Sequence, residues 1–324
     1  MAAPAELPRL ALTLGDPAGI GPEIALLAQA DPRVRAAARL VLVGPAALRP
    51  SSIPGGDDPR AAVCWIESAA PARWEMGRVQ RECGAAALAA LRIGHELALA
   101  RAVDALVTAP VSKQALHEAG EKVEGQTELL GRWCGVERFE MLAIAGNLRV
   151  MLLTRHMPLR RALDSITTER VLGHLRLFDE SLRRFGFAEP RLALAGLNPH
   201  AGEGGVLGSE DGELLAPAVA AARAEGIRVS GPHPPDTVFL QASRGAYDGV
   251  LALYHDQAFI PVKLLSGDGG VTVIAGLPYL RVSPVHGTAF DIAGQGRASP
   301  GNLIAALLQA AEWARVSPRR QIRC

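Results

Sequence analysis

His156, His200 and His255 each come just after a short, strongly apolar run: LRVMLLTRH, RLALAGLNPH and DGVLALYHDQ. Apolar runs of about four to eight residues bounded by Gly, Pro or Asn read as buried strands of a parallel sheet. In open α/β sheets, ligands bind in the crevice outside the carboxyl ends of the strands. Three imidazoles delivered to that edge suffice to hold a divalent metal with one coordination position left for substrate. None of the three lies in a local motif such as H-E-x-x-H, so the fold must bring distant segments together. A lone histidine after a strand is ordinarily a loop residue or a satisfied core group, and the shared context is what makes these three a set. His95, His117, His174 and His233 lack it and read as surface or core.

Other segments add polar groups. In YHDQAFIPVKLL, Asp256 beside His255 reads as an orienting carboxylate, a metal ligand or a helix cap. Lys263 sits among apolar residues, where its charge needs a carboxylate or phosphate. Asp236 lies in the proline-rich GPHPPDTVF, read as an extended turn. Ser112 and Lys113 of TAPVSK read as an anion site or a helix cap. GDPAGIGPE reads as a glycine turn before a helix, without matching either phosphate-loop pattern. The glycines of SPVHGTAFDIAGQGRASPGN allow backbone to approach a flat ligand, with His286, Thr288 and Asp291 as polar edges.

The elements that must carry these groups alternate. Strands are expected at Arg9–Leu14, RLVLVG, AAVCWIE, VDALVTAP, the runs before the three histidines, and VTVIAG. Helices are expected from about Pro22, from Cys83 to Ala102, after Pro110, over ITTERVLGHLRLFDESLRRFGF with Thr167 or Thr168 as cap, near Leu214–Glu225, and from Asn302. EMLAIAG and LRVMLLTR read as an antiparallel hairpin around Gly146–Asn147. Arg49–Pro59 reads as a surface loop. The fold class is α/β, a mostly parallel sheet with helices on both faces.

A chain of 324 residues has room for two such domains. With 34 basic against 33 acidic residues and no basic stripe, nucleic acid is excluded as a partner. Cys64, Cys83, Cys134 and Cys324 form no CxxC pair and read as reduced and structural. The N-terminus lacks a signal-peptide pattern, and Ala85–Ala102 carries too many charges to span a membrane. A soluble cytoplasmic protein is expected.

HGTAFDIAG resembles the adenine-binding loop of the isocitrate and isopropylmalate dehydrogenases. The rest of the chain is similar to the 4-hydroxythreonine-4-phosphate dehydrogenase family of pyridoxine biosynthesis, a relative with the same fold. The resemblance rests on GDPAGIGPE, TAPVSK, GQTELL, VMLLT with its histidine and MPLR, LNPHAGEGG, PPDTVF, YHDQAFIPVKLL, GLPYLR and HGTAFDIAG, in that order. It implies two α/β/α domains around a cleft, without a Rossmann GxGxxG domain: 1–125 plus 282–324, and a central 126–281 with dimer contacts. It also implies oxidation of 4-phosphooxy-threonine with NAD or NADP and one divalent metal (Zn, Mg, Co or Mn) per site.

Metal ligands would be His156, His200 and His255, drawn from both subunits of a homodimer. Substrate contacts would be Gln126, Thr127, Lys263, Thr272 and Arg281, and cofactor contacts His286, Gly287, Thr288 and Ala289. Lys263 or Asp236 would relay the hydroxyl proton. Three positions depart from the family pattern: Gln126 stands where His is usual, Thr272 where Asn is, and Val285 where Asp is common. They bear on substrate identity rather than on the metal. A sister dehydrogenase for phospho-threonate or a dihydrodiol carboxylate is the nearest alternative. A metal-dependent hydrolase has no need of the nucleotide loop, and a non-catalytic binding protein leaves the polar strand ends unexplained.

Overall fold

Most strands of the computed structural model are buried along most of their length, as sheets covered on both faces require. The structure describes residues 6–58 and 60–316, so Cys324 and Pro59 lie outside the described residues. The chain divides into two compact units, Met1–Glu137 with Leu277–Cys324, and Arg138–Gly276.

The first unit is built on β1 (Arg9–Thr13), β2 (Arg39–Pro45), β3 (Val63–Ser68), β4 (Ala105–Thr108) and β11 (Leu280–Pro284), in the order β3-β2-β1-β4-β11. All four pairings are parallel. Helices Arg81–Leu99 and Gly301–Val316 pack on this sheet through Ala87, Ala90, Leu91 and through Leu303, Leu307, Ala310. Helix Gln126–Cys134, with its candidate substrate residues, also belongs to this unit, because Gln126 Nε2 donates to Ala109 O at the end of β4.

The second unit carries β5 (Glu140–Ala145), β6 (Leu148–Leu152), β7 (Leu192–Ala195), β8 (Val229–His233), β9 (Gly249–Ala252) and β10 (Val271–Ala275), in the order β10-β5-β6-β9-β7-β8. β5 and β6 form the expected hairpin, and β10 is also antiparallel to β5. The neighbours β6, β9, β7 and β8 run parallel. Val150, Leu152, Ala193, Val250 and Ala252 share one core with Val238, Phe239, Ala258 and Val262 from helices Pro235–Ser243 and His255–Ser266.

Several boundaries differ from the sequence reading. Thr167, not Thr168, caps helix Thr168–Arg184, its side chain accepting from Arg170 N. Asp236 is in the first turn of a helix rather than an extended turn, because a proline at the first helical position starts a helix as readily as it makes a turn. The strand expected to run to His200 ends at Ala195. Among the described residues, Cys64, Cys83 and Cys134 are free, and no helix is long and apolar enough to cross a membrane.

Candidate active site

β6, β9 and β7 are adjacent and parallel, so His156, His255 and His200 emerge at one sheet edge. The rings of His156 and His255 have centroids 5.3 Å apart. His255 opens its helix and stacks on Phe259 at 4.6 Å. Its Nδ1 lies 2.8 Å from Asp256 Oδ1, which orients the ring and leaves Nε2 for a metal. Asp256 thus contacts the His255 ring, and the helix N-cap position is held by Tyr254 instead. His200 does not complete the set within one chain: among the described residues, no three His, Cys, Asp or Glu side chains are grouped to hold a metal.

His200 stands in a run of left-handed backbone, His200 to Gly204, with φ of 54°, 53°, 76°, 42° and 68°. That conformation costs roughly 1–2 kcal/mol for each of His200, Ala201 and Glu203, and strain of this kind collects at functional sites. Asp211, 2% exposed, holds the loop in place. Its carboxylate accepts Leu197 N at 2.8 Å, Asn198 N at 3.0 Å and Asn198 Nδ2 at 3.0 Å. Asp211→Ala leaves these donors unsatisfied and is expected to lower unfolding free energy in urea by about 3 kcal/mol. A loss under about 0.5 kcal/mol, the range of ordinary surface substitutions, would show that the loop holds itself.

In the first unit, β11 carries a buried arginine. Arg281 is 3% exposed, and its Nη2 donates to Thr108 Oγ1 at 2.6 Å. Its buried Nε has no partner among the described residues. Burial pushes its pKa down to about 10, with Tyr279 and Glu128 opposing the shift. A buried guanidinium with a donor to spare needs an anion. On helix Gln126–Cys134, Thr127 is 6% exposed, and Gln126 Oε1 is buried without a partner among the described residues.

The loop after β11 carries His286, Gly287, Thr288 and Ala289. His286 Nδ1 lies 3.0 Å from Gly287 O, while its buried Nε2 has no partner among the described residues. A Cβ placed on Gly287 would meet no atom within 4 Å, and Ala289 has φ 41°. The open space lies at Gly287, not at the buried ring nitrogen of His286.

Three expected residues sit differently from the rest. Thr272 is buried in β10, opposite Ala143. Lys263 and Asp236 are exposed within one chain. The apolar neighbours that were to enclose Lys263 are themselves exposed, Ile260 by 61% and Leu264 by 80%. The other four histidines serve locally: His95 meets Tyr279 Oη, His117 meets Val123 O, His174 meets Arg170 O, and His233 meets Ser230 Oγ. Ser112 caps helix Lys113–Glu118, its Oγ accepting from Ala115 N.

Sequence reasoning passed over Thr108, Asp211 and the full burial of Asp16. A polar residue closing an apolar strand was the available signal for Thr108. Asp16 is 0% exposed, and burial pushes its pKa up to about 6 against the lowering effect of the Ala18 and Ser112 amides. Because the folded pKa lies above the unfolded one, its contribution is fully present below pH 3.8 and lost as pH rises through about 6. Relative to Asp16→Asn, the wild type is expected to lose up to about 3 kcal/mol between pH 4 and 7. Parallel urea stability curves for the two proteins would contradict this.

Residues 28–310 match the family described as pyridoxal phosphate biosynthetic protein PdxA. The chain belongs to the PdxA family. A 4-hydroxythreonine-4-phosphate dehydrogenase of Geobacter metallireducens is 42% identical over 330 residues, 95% of this chain and 96% of the relative. A D-threonate 4-phosphate dehydrogenase of Bordetella bronchiseptica is 43% identical over 331 residues, 97% and 94% of the two chains. The crystal structure of a 4-hydroxythreonine-4-phosphate dehydrogenase from Klebsiella pneumoniae superposes with a TM-score of 0.86 at 40% identity, over 95% of this chain and 99% of that one. The same fold extends to a β-decarboxylating dehydrogenase of Thermococcus kodakarensis, 18% identical with a TM-score of 0.52 over 94% and 82% of the chains. The α/β fold is thus shared with that β-decarboxylating dehydrogenase.

Proposed function

We propose that this chain is an NAD- or NADP-dependent, divalent-metal-dependent dehydrogenase of pyridoxal phosphate biosynthesis. It oxidises 4-phosphooxy-threonine (4-hydroxythreonine 4-phosphate) at the 3-hydroxyl to a β-keto acid, which decarboxylates to 3-amino-2-oxopropyl phosphate. The family match over residues 28–310 carries the reading. The full-length similarity to a 4-hydroxythreonine-4-phosphate dehydrogenase supports the substrate.

His156, His200 and His255 would hold the cation (zinc, magnesium, cobalt or manganese), and His286, Gly287, Thr288 and Ala289 the nucleotide. When bound, these groups supply Lewis acidity and a hydride acceptor. Arg281, braced by Thr108, engages the phosphate or carboxylate of the substrate. Gln126, Thr127 and Thr272 supply further hydrogen bonds, and Lys263 or Asp236 takes the hydroxyl proton. Lys263→Ala is expected to lower kcat on the order of 100-fold with little change in substrate KM. An unchanged rate at saturating substrate would remove Lys263 from the mechanism.

The active unit in this reading is a homodimer with a shared site. Two observations support it: His200 stands apart from the His156–His255 pair, and Ile260, Leu264 and Val206 (78% exposed) offer apolar surface for a second copy. A second copy covering that face also desolvates Lys263. Dilution below the dimer constant is expected to abolish turnover, and full activity from a monomer would contradict it. Free thiols fit a cytoplasmic setting.

The test is nicotinamide absorbance during turnover of 4-phosphooxy-threonine, with chelation abolishing it and divalent cations restoring it. No absorbance change with this substrate, or turnover indifferent to chelation, would overturn the reading. The 43% identical D-threonate 4-phosphate dehydrogenase and the departures at Gln126 and Thr272 favour a second reading, in which hydroxyl replaces ammonium at C2. Assayed side by side, the amino acid is expected to lead in kcat/KM by about tenfold or more. The reverse ratio would establish the second reading.

A further inference from the structure

We propose that Asp16 is a positioning residue for the nucleotide loop, pinning the turn against which His286–Ala289 rests. The inference builds on the reading of that loop as the nucleotide site. Asp16 closes its own turn: Oδ1 accepts Ala18 N at 3.0 Å, and its carbonyl accepts Gly19 N at 3.1 Å. Its main-chain N–H donates to Pro110 O at 3.0 Å, and the Ser112 amide also reaches the carboxylate. Gly15 enters this turn at φ 73°, where a Cβ would lie 2.2 Å from Pro110 O. The turn is therefore held on the segment after β4 by both side chain and backbone.

From there the contacts run to the nucleotide loop. Ile20 N donates to Thr288 O at 3.0 Å, and a Cβ on Gly19 would lie 3.0 Å from Thr288 Cβ. Ala18 O accepts Gly77 N at 2.8 Å, and a Cβ on Gly77 would lie 2.7 Å from Phe290 O. Residues 18–20 thus meet the loop at Thr288 directly and at Phe290 through Gly77, with no room for slack. Asp16 Oδ2 is buried without a partner among the described residues, and the neighbouring titratable side chain is the Cys83 thiol. A carboxyl kept in so costly a place while gripping one turn serves that turn.

The test compares Asp16→Ala, Asp16→Asn and Gly19→Ala in the metal-loaded enzyme. NAD(H) binding is titrated directly, KM is measured separately for nucleotide and substrate, and thermal unfolding monitors the fold. Asp16→Ala is expected to raise nucleotide Kd and KM about tenfold or more, since small misplacements are costly, while substrate KM changes little. Asn keeps the accepting oxygen and is expected to restore most of the loss. Gly19→Ala presses on Thr288 with Asp16 intact and is expected to weaken nucleotide binding too, so it decides the matter if Asp16→Ala fails to fold. Unchanged nucleotide KM in the variants, or nucleotide and substrate KM rising together, overturns the role of Asp16 alone. A wild-type enzyme that binds no nucleotide overturns the reading of the loop and this inference with it.

Discussion

Replacing His255 by alanine is expected to lower kcat by about three orders of magnitude, in line with the several kcal/mol that Lewis-acid stabilisation supplies. His255 lies 5.3 Å from His156, ring centroid to centroid, and is aimed by Asp256. Its removal leaves one imidazole where two converge. The fold should survive, because the side chain is partly exposed and its helix is anchored by Ala258, Phe259 and Val262. Steady-state rates with saturating divalent cation, together with an unchanged thermal transition, check the prediction. Asp256→Asn weakens the orienting contact alone and is expected to cost about 10- to 100-fold in metal affinity. A His255→Ala enzyme within tenfold of wild type would remove the residue from the metal set.

The second large effect belongs to Arg281. Arg281→Met is expected to raise substrate KM about 100-fold, corresponding to roughly 3 kcal/mol for one partner of a desolvated charge pair. Stability should not fall in parallel. The folded pKa of Arg281 is lowered to about 10 by burial, so the charge costs folding free energy at all lower pH values, and a methionine of similar length relieves that cost. Anion capture needs the charged form, so substrate affinity is expected to hold below about pH 9 and fall as pH passes about 10. An Arg281→Met protein that is much less stable in urea, with substrate KM unchanged, would make the residue structural.

How much of this was legible in the sequence follows from how local each cause is. The apolar runs before His156, His200 and His255 identify strands because burial on both faces demands uninterrupted hydrophobicity. Their adjacency in the order β6-β9-β7 brings the histidines to one edge, as expected from fold class. The left-handed run at His200 was not legible, since AGEGG permits it but contacts from later in the chain, such as Asp211 on Leu197 and Asn198, brace it. Lys263 misled because apolar neighbours in sequence imply a buried charge, whereas Ile260 and Leu264 face outward within one chain. Thr108 and Arg281 meet across a register between distant strands, which no local pattern encodes. Asp16 looked like an ordinary turn residue, because burial is a property of the loops folded over it.

The central claim is that His156, His200 and His255 jointly bind one divalent cation. It is tested most directly by calorimetric titration of the oligomeric protein with zinc or cobalt, for the wild type and for each single alanine variant. One cation per site in the wild type, with affinity reduced by every one of the three substitutions, is the predicted result. Binding that is absent in the wild type, or unaffected by these replacements, would contradict it.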